Sequence, residues 1–458
     1  MIDEKIEKDE VQYDEELLLS LLQNENTDEF RSQFLELHQY DQAQFYEKVG
    51  PDIRQVIYHY LSPKEMADVF ESLQLDDEDY QSFIDEMESS YAAQMIAEMY
   101  TDDAVDVLNE LDKDKISHLL KIMNQKSADD IRELLYYEED TAGSIMTTEY
   151  VAIPKNSTVR SAMTIMRNAA PDAETIYYIF VVDDENHLAG VISLRDLIIA
   201  TEDTLIHDIM NDRVVSVNVT DDQEAVAQIM KDYNFLAVPV INSKEEMLGI
   251  ITVDDIIDVI DEEASEDYSR LAGVSDMDTF DKNPFSAAKK RLPWLVVLLL
   301  LGMLTANLID VFAVTLEKVV LLAAFIPLIG GTSGNSGTQA LAVAVRGIAT
   351  GDVAEQSKLK LVIREALTGI IMGVICGIVA FAIVYFWKGE PIIGLLVAVA
   401  IACSILVATI AGSFIPLLMH RLKIDPAVAS GPFITTLNDI TSIVIYLGIA
   451  TLFIEKLM

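Results

Sequence analysis

One carboxylate, Asp439, stands in TTLNDITSIVIYLGIATLF, in a C-terminal region otherwise nearly free of acids. A charge at the centre of a bilayer costs about 3 kcal/mol or more, so such a group faces a bundle interior or a water-filled path. The plain reading is a protonated or interfacial Asp that caps a helix. The chemical reading is a cation site in a pore, with Thr435, Thr436, Asn438, Thr441 and Ser442 as its polar surroundings. A second polar group, Asn335, Ser336, Thr338 and Gln339, lies in GGTSGNSGTQ (330–339). The glycines and Pro327 predict a break in the helix there. Irregular backbone at membrane depth is tolerated only beside protein or water, so this break and Asp439 are expected to face one aqueous cavity.

Two further acid sets could bind cations, and a third pattern could cap helices or hold a nucleotide. Glu263, Glu266 and Asp267, in DVIDEEASED, fall at i, i+3 and i+4 on one helix face, where like charges destabilise unless neutralised. Asp102, Asp103 and Asp106 share roughly one face of another helix. Ser193-Leu-Arg-Asp196 and Thr252-Val-Asp-Asp255 repeat the pattern Ser/Thr-x-x-Asp. Ser193 and Thr252 can cap the helix that follows each. The same pattern suits an adenine nucleotide, whose ribose hydroxyls an Asp would hold, and both readings stand open.

The elements that must position these residues divide into an apolar half and an acidic half. Five stretches reach the roughly 20 apolar residues that a crossing needs: 292–312, 318–346, 361–387, 391–419 and 428–454. Nine Lys and Arg residues flank one side of these spans and three the other, if the N-terminal half is cytoplasmic. That asymmetry places the C-terminus outside. Trp294 and Trp387 fall near span ends, as interfacial aromatics do. Gly369, Gly373 and Gly377 form a stripe suited to close helix packing.

The formal charge of −43 is uneven: from Lys289 onward 9 acids meet 12 Lys and Arg, whereas the preceding residues hold 66 acids and 20 basic residues. An acidic half of net −46 repels nucleic acid and attracts divalent cations. It carries enough Leu, Ile, Val, Tyr and Met to fold. The N-terminal MIDEKIEKDE has no apolar leader, which keeps the acidic half in the cytoplasm. Cys376 and Cys403 lie in apolar runs and give neither a disulfide pattern nor a metal motif.

Two repeats organise the acidic half. GVISLRDL (190–197) matches GIITVDDI (249–256) at an offset of 59, and YIFVVDD (178–184) matches AVPVINS (237–243) at the same offset. Each copy reads as a helix, two short strands joined by a turn, and a helix, which resembles a CBS-domain tandem. SPKEMADVFESL (62–73) recurs as YTDDAVDVLNEL (100–111), offset 38, and predicts a small solenoid of helix pairs. The helix bearing Glu263 is expected to run to about Phe280 and link the tandem to the membrane.

This order of parts resembles the MgtE magnesium channels, most specifically in GGTSGNSGTQ, in DPAVASGPFITTLND (425–439) and in YYEEDTAGSIMT (136–147). The resemblance implies a multidomain membrane protein. Its parts are a cytoplasmic all-α helical-repeat domain at 1–137, an α/β CBS tandem at 138–200 and 201–262, a connecting or plug helix at 263–283, and a five-helix α transmembrane domain at 284–458. It further implies a homodimer in the cell membrane, with the pore on the two-fold axis. Asp439 becomes the pore acid, assisted by backbone carbonyls near Thr435. The plug helix closes the pore when magnesium is abundant, through Glu263, Glu266 and Asp267, and sensor acids fall on Asp102, Asp106 and Asp255. ATP binding carries over to Tyr178, Arg195 and Asp196. One departure is Asn234, which follows Tyr233 where relatives can place an acid. Magnesium keeps several waters, so a ring of Asp439, Thr435, Asn438 and Asn335 acceptors suits a hydrated ion. The competing readings are a secondary carrier, with which the broken second span is compatible, and a membrane-anchored sensor that transports nothing. Neither a nucleophile–base pair nor a phosphate loop is found, so an enzyme is not expected.

Overall fold

The computed structural model describes residues 13–73, 77–274, 284–350, 358–426, 429 and 431–454. The acidic leader and the end of the expected plug segment lie outside these residues. The chain divides into two compact units, Met1–Val259 and Ile260–Met458.

The first unit opens with ten short helices among the described residues, α1 (Glu15–Gln23) to α10 (Gln125–Leu134). Local chemistry sets their ends. Ser62 and Glu65 form a reciprocal cap on α5 (Pro63–Phe70), whose first residue is Pro63. The repeat read at offset 38 is a repeat of packing. In α5 the buried residues are Met66, Ala67, Val69 and Phe70; in α8 (Thr101–Asn109) they include Ala104, Val105, Val107 and Leu108. Each pair is 38 residues apart. Arg54 is buried with Glu86 at 2.6 Å, and its guanidinium stacks 4.2 Å from the centre of the Phe83 ring.

Two three-stranded sheets follow, β1 (Ala152–Pro154), β2 (Tyr178–Val182) and β3 (Leu188–Ser193), then β4 (Val217–Asn218), β5 (Ala237–Ile241) and β6 (Met247–Thr252). In each sheet the first strand runs parallel to the second, and the second antiparallel to the third. The pairing register conserves the repeat: Tyr178 faces Ser193 and Ala237 faces Thr252. Irregularities at Val181/Val182 and Val240/Ile241 recur at the same offset. Strands β1 and β4, of 3 and 2 residues, escaped the sequence reading because alternation cannot register in so short a run. α11 (Val159–Ala169) and α12 (Leu194–Ile199) complete the first copy, and α13 (Gln223–Tyr233) and α14 (Val253–Ala272) the second.

α14 is at once the last helix of the second CBS copy and the expected connecting helix. It stops at Ala272, where Gly273 adopts φ +74°, and not near Phe280. Glycine takes this left-handed conformation without steric cost and so ends a helix readily.

Among the described residues, the second unit holds five helices long and apolar enough to cross a membrane: Ala287–Val311 within α15 (Pro284–Val311), Val320–Ala349, α18 (Lys358–Lys388), α19 (Pro391–Arg421) and α20 (Gly431–Leu452). Between the first two lies α16 (Ala313–Lys318); the second comprises a short 3₁₀ segment and α17 (Ile326–Ala349). The expected break at 330–339 is absent, because α17 runs through GGTSGNSGTQ as one helix. Pro327 sits in its first turn, where no amide hydrogen bond is lost. The glycines serve packing instead. The stripe on α18 also packs closely, with Gly369 on Thr409, Gly373 on Ala402 and Gly377 on Ala398, all in α19.

Candidate cation sites in the two units

In the first unit, the start of α8 gathers carboxylates. Helix N-termini present unpaired amides and a positive dipole end. The Tyr100 amide donates to Glu71 Oε1 at 3.1 Å, and the Thr101 amide donates to Glu149 Oε2 at 3.2 Å. The Thr101 hydroxyl also donates to Glu149, at 2.7 Å. One residue on, Asp102 is 6 % exposed. Its carboxylate meets those of Glu174 and Asp255, with one oxygen from each lying within 4.8 Å of the others. Asp255 Oδ2 accepts the Thr252 hydroxyl at 2.6 Å. The Glu174 amide is held by the Glu149 carbonyl at 3.0 Å, while its Oε2 is buried with no hydrogen-bond partner. The helical region, the first CBS copy and the second thus contribute one acid each.

Burial and mutual repulsion raise the proton affinity of this group. Asp102 lies well above the carboxylate range, through burial first and then Asp255. Burial, with neighbouring acids, pushes Asp103 up to about 9, Glu174 to about 8, Glu71 to about 7 and Asp255 to about 6. Three oxygen donors and an orphaned buried carboxylate oxygen fit a hard divalent cation that keeps part of its water shell.

The family resemblance grouped Asp102, Asp106 and Asp255 as sensor acids. The structure brings the first and last together, but Asp106 lies exposed further along α8, outside the three-acid group. Glu174 was missed. It sits in the coil before β2, where no periodicity marks it.

Glu263, Glu266 and Asp267 are half-buried on one side of α14, and burial raises Asp267. Arg270, one turn after Glu266, pairs with Glu266 and with Asp425. In the first CBS copy, Ser193 caps α12: its hydroxyl accepts the Asp196 amide at 3.1 Å and donates to Asp196 Oδ2 at 2.6 Å. Tyr178 faces Ser193 across the sheet, and Arg195 and Asp196 are exposed beside it.

In the second unit, α20 lies against the glycines of α17. A Cβ at Gly330 would come 2.8 Å from Asp439 Oδ1, and one at Gly334 would come 2.8 Å from Thr435 Cγ2. At Gly337 the Asn438 amide leaves no room for a Cβ. Thr435 and Thr338 share a hydroxyl hydrogen bond at 3.2 Å, and the Thr436 hydroxyl donates to the Pro432 carbonyl at 2.9 Å. Asn438 is 1 % exposed and wedged against Gly337, and its Oδ1 and Nδ2 are buried with no hydrogen-bond partner among the described residues. Asn335 lies on another face of α17, where Thr332, Asn335 and Gln339 border a cavity of about 610 Å³ that reaches Met372 and Cys376 of α18 and whose lining does not include Asp439. In an unbroken helix, successive residues are turned by about 100°, which separates Asn335 from the glycine face.

Five membrane-capable helices with an acid among hydroxyls, behind an acidic soluble unit with paired CBS folds, define a multi-pass membrane protein of the cation-transport class. The profile of the MgtE divalent cation transporters matches residues 326–449, that of the MgtE intracellular N domain 37–140, and the CBS domain 142–203 and 206–262. The magnesium transporter MgtE of Enterococcus faecalis is 53 % identical over 439 residues, 96 % of this chain and 97 % of that protein. That of Bacillus subtilis is 37 % identical, covering 97 % of this chain and 99 % of that one. A crystal structure of the soluble part of a magnesium transporter superimposes with a TM-score of 0.54 at 57 % identity, covering 55 % of this chain and 98 % of that one. The cytosolic domain of the Mg²⁺ channel MgtE in complex with ATP matches with a TM-score of 0.50 at 36 % identity, covering 53 % of this chain and 98 % of that one. The chain belongs to the MgtE family.

Proposed function

We propose that this protein is a magnesium channel of the cell membrane, importing Mg²⁺ as a homodimer and closing when cytoplasmic magnesium is abundant. The observation that carries the reading is Asp439, an acid on a membrane-capable helix seated against Gly330 and followed along α20 by hydroxyl residues. Two copies facing each other across a dimer axis would give a paired carboxylate site. With Thr435 and Thr436 as further acceptors, such a ring holds an ion that retains its waters. The soluble acids form the sensor. Magnesium at Asp102, Glu174 and Asp255 ties three segments together and favours the compact state, since a ligand shifts an equilibrium only through its differential affinity. Asp106 and the acids Glu263, Glu266 and Asp267 on α14 are further regulatory ligands, and α14 closes the path. The unbroken α17 lacks the interrupted span with which a carrier was compatible. Tyr178, Ser193, Arg195 and Asp196 form a nucleotide site, a reading supported by the ATP complex of the related cytosolic domain. The C-terminus lies outside, following the Lys and Arg asymmetry.

Magnesium flux into liposomes, with magnesium varied separately on each face, tests this. Flux should follow the gradient with no coupling ion, and fall as magnesium rises on the face bearing the soluble unit. Dependence on a proton or sodium gradient would reject the channel.

A further inference from the structure

Glu149 touches the support of every acid in the three-acid group of the first unit. It lies half-buried in the coil that leads into β1. Its carboxylate accepts the Thr101 amide at 3.2 Å and the Thr101 hydroxyl at 2.7 Å, one residue before Asp102. Its backbone carbonyl accepts the Glu174 amide at 3.0 Å. Two residues earlier in the same coil, Thr147 exchanges backbone hydrogen bonds with Ile250 of β6, at 2.8 and 3.0 Å. That strand ends at Thr252, whose hydroxyl holds Asp255. Thr147 in turn donates its hydroxyl to Glu149 Oε2 at 2.7 Å, and Thr148 donates its amide to the same oxygen at 3.2 Å. The Thr148 hydroxyl reaches Oε1 at 3.2 Å. Amides and hydroxyls of three threonines thus satisfy this carboxylate and fix its orientation.

We propose that Glu149 is the positioning residue of the sensor site, fixing Asp102, Glu174 and Asp255 where one cation can bridge them. The inference rests on the reading of those three acids as the magnesium sensor. Glu149 is not one of the three; it acts on the chain that carries them. The physical need is clear. Three like charges repel, and they come from segments far apart in sequence, so gathering them opposes both Coulomb energy and chain entropy. A site that is gathered only part of the time binds its ligand correspondingly more weakly. The bonds to Thr101 are charge-assisted, hence stronger than neutral ones, and they hold the start of α8 against the coil that also holds Glu174 and β6. Glu149 therefore sets the magnesium concentration at which the sensor fills. Its work is done by hydrogen-bond geometry. A glutamine in its place has the same shape and offers an oxygen to the two amides. Its NH₂ group meets hydroxyls that accept as readily as they donate.

The test uses the full-length chain in liposomes, with magnesium titrated on the face of the soluble unit. Glu149→Ala should raise the half-inhibiting magnesium concentration about tenfold to a hundredfold, the range for residues that orient metal ligands. Glu149→Gln should stay within about threefold of the parent, because it keeps every partner. Thr101→Val removes the hydroxyl and leaves the amide, and should shift the midpoint the same way by about threefold to tenfold. The decisive arm is non-additivity. Glu174→Gln with Asp255→Asn should by itself shift the midpoint strongly, and in that background Glu149→Ala should add less than about twofold. A merely structural role would add its full effect there, and that result overturns the proposal. If Glu149→Ala and Thr101→Val leave the midpoint unmoved while the double acid variant shifts it, the positioning role is wrong and the sensor stands. If the double acid variant leaves the midpoint unmoved, the sensor reading fails and takes the positioning role with it. Glu149→Gln as impaired as Glu149→Ala also overturns the proposal, since Glu149 would then act through its charge. Should Glu149→Ala fail to insert, Thr101→Val in the two backgrounds decides by the same non-additivity.

Discussion

Asp102, Glu174 and Asp255 show how acids proposed to hold a cation are marked by their burial. Folding pulls three acids out of water and toward each other, and each gains proton affinity. An acid whose folded pKa is raised contributes stability that is fully present below its unfolded value near 4 and lost as pH rises through the folded one. With Asp255 near 6, Glu71 near 7 and Glu174 near 8, the metal-free soluble unit should lose thermal stability steadily between about pH 5 and pH 8. Magnesium binds the deprotonated form, so the rise in melting temperature that it produces should be larger at pH 8 than at pH 6. Glu174→Gln with Asp255→Asn should flatten the pH dependence and remove most of the magnesium increment. Calorimetry checks both; a magnesium increment equal at the two pH values, or unchanged in the double variant, would contradict the site. Asp102 stood out in a cluster of acids on one helix face and Asp255 in a repeated Ser/Thr-x-x-Asp pattern, but only the family resemblance grouped them as sensor acids. Glu174 was not legible, since tertiary packing alone brings its coil segment to α8.

At the scale of elements, the glycines of α17 carry the main lesson. Gly330, Gly334 and Gly337 read as a break from composition, because glycine weakens helices in water. In a membrane the backbone must pair with itself, so the helix persists and glycine marks where another helix comes close. The seats of Asp439, Thr435 and Asn438 follow from that face. Gly337→Ala should force α20 away from α17 and cost about 1–3 kcal/mol through overpacking. Thermal unfolding in detergent should show an earlier transition, with a milder effect at Gly331→Ala, where a Cβ meets nothing within 4 Å. Equal effects at the two positions would contradict this packing. The CBS copies were legible for the opposite reason. Their offset of 59 is preserved in strand register and even in the bulges, so sequence similarity and hydrogen bonding carry the same information. The end of α14 was not legible, because acidic and polar residues continue past Gly273 and only its backbone angle ends the helix.

At the scale of the whole molecule, the decisive feature is the separation of charge, net −46 before Lys289 and near neutral after it. Self-repulsion of this size favours expansion, and multivalent cations oppose it more than screening does. Residues 1–275 should become more compact and more protease-resistant at millimolar magnesium, with less change in sodium chloride of equal ionic strength. Scattering and proteolysis that fail to distinguish the two salts would make the acidic half a solvated shell. The central claim, that magnesium crosses at Asp439, is tested most directly by magnesium uptake into liposomes containing the parent chain or Asp439→Ala, matched for dimer content and insertion. The account predicts that Asp439→Ala abolishes uptake and Asp439→Asn impairs it severely, because the site needs a charge as well as an acceptor. Uptake at the parent rate through a correctly inserted Asp439→Ala dimer would contradict it.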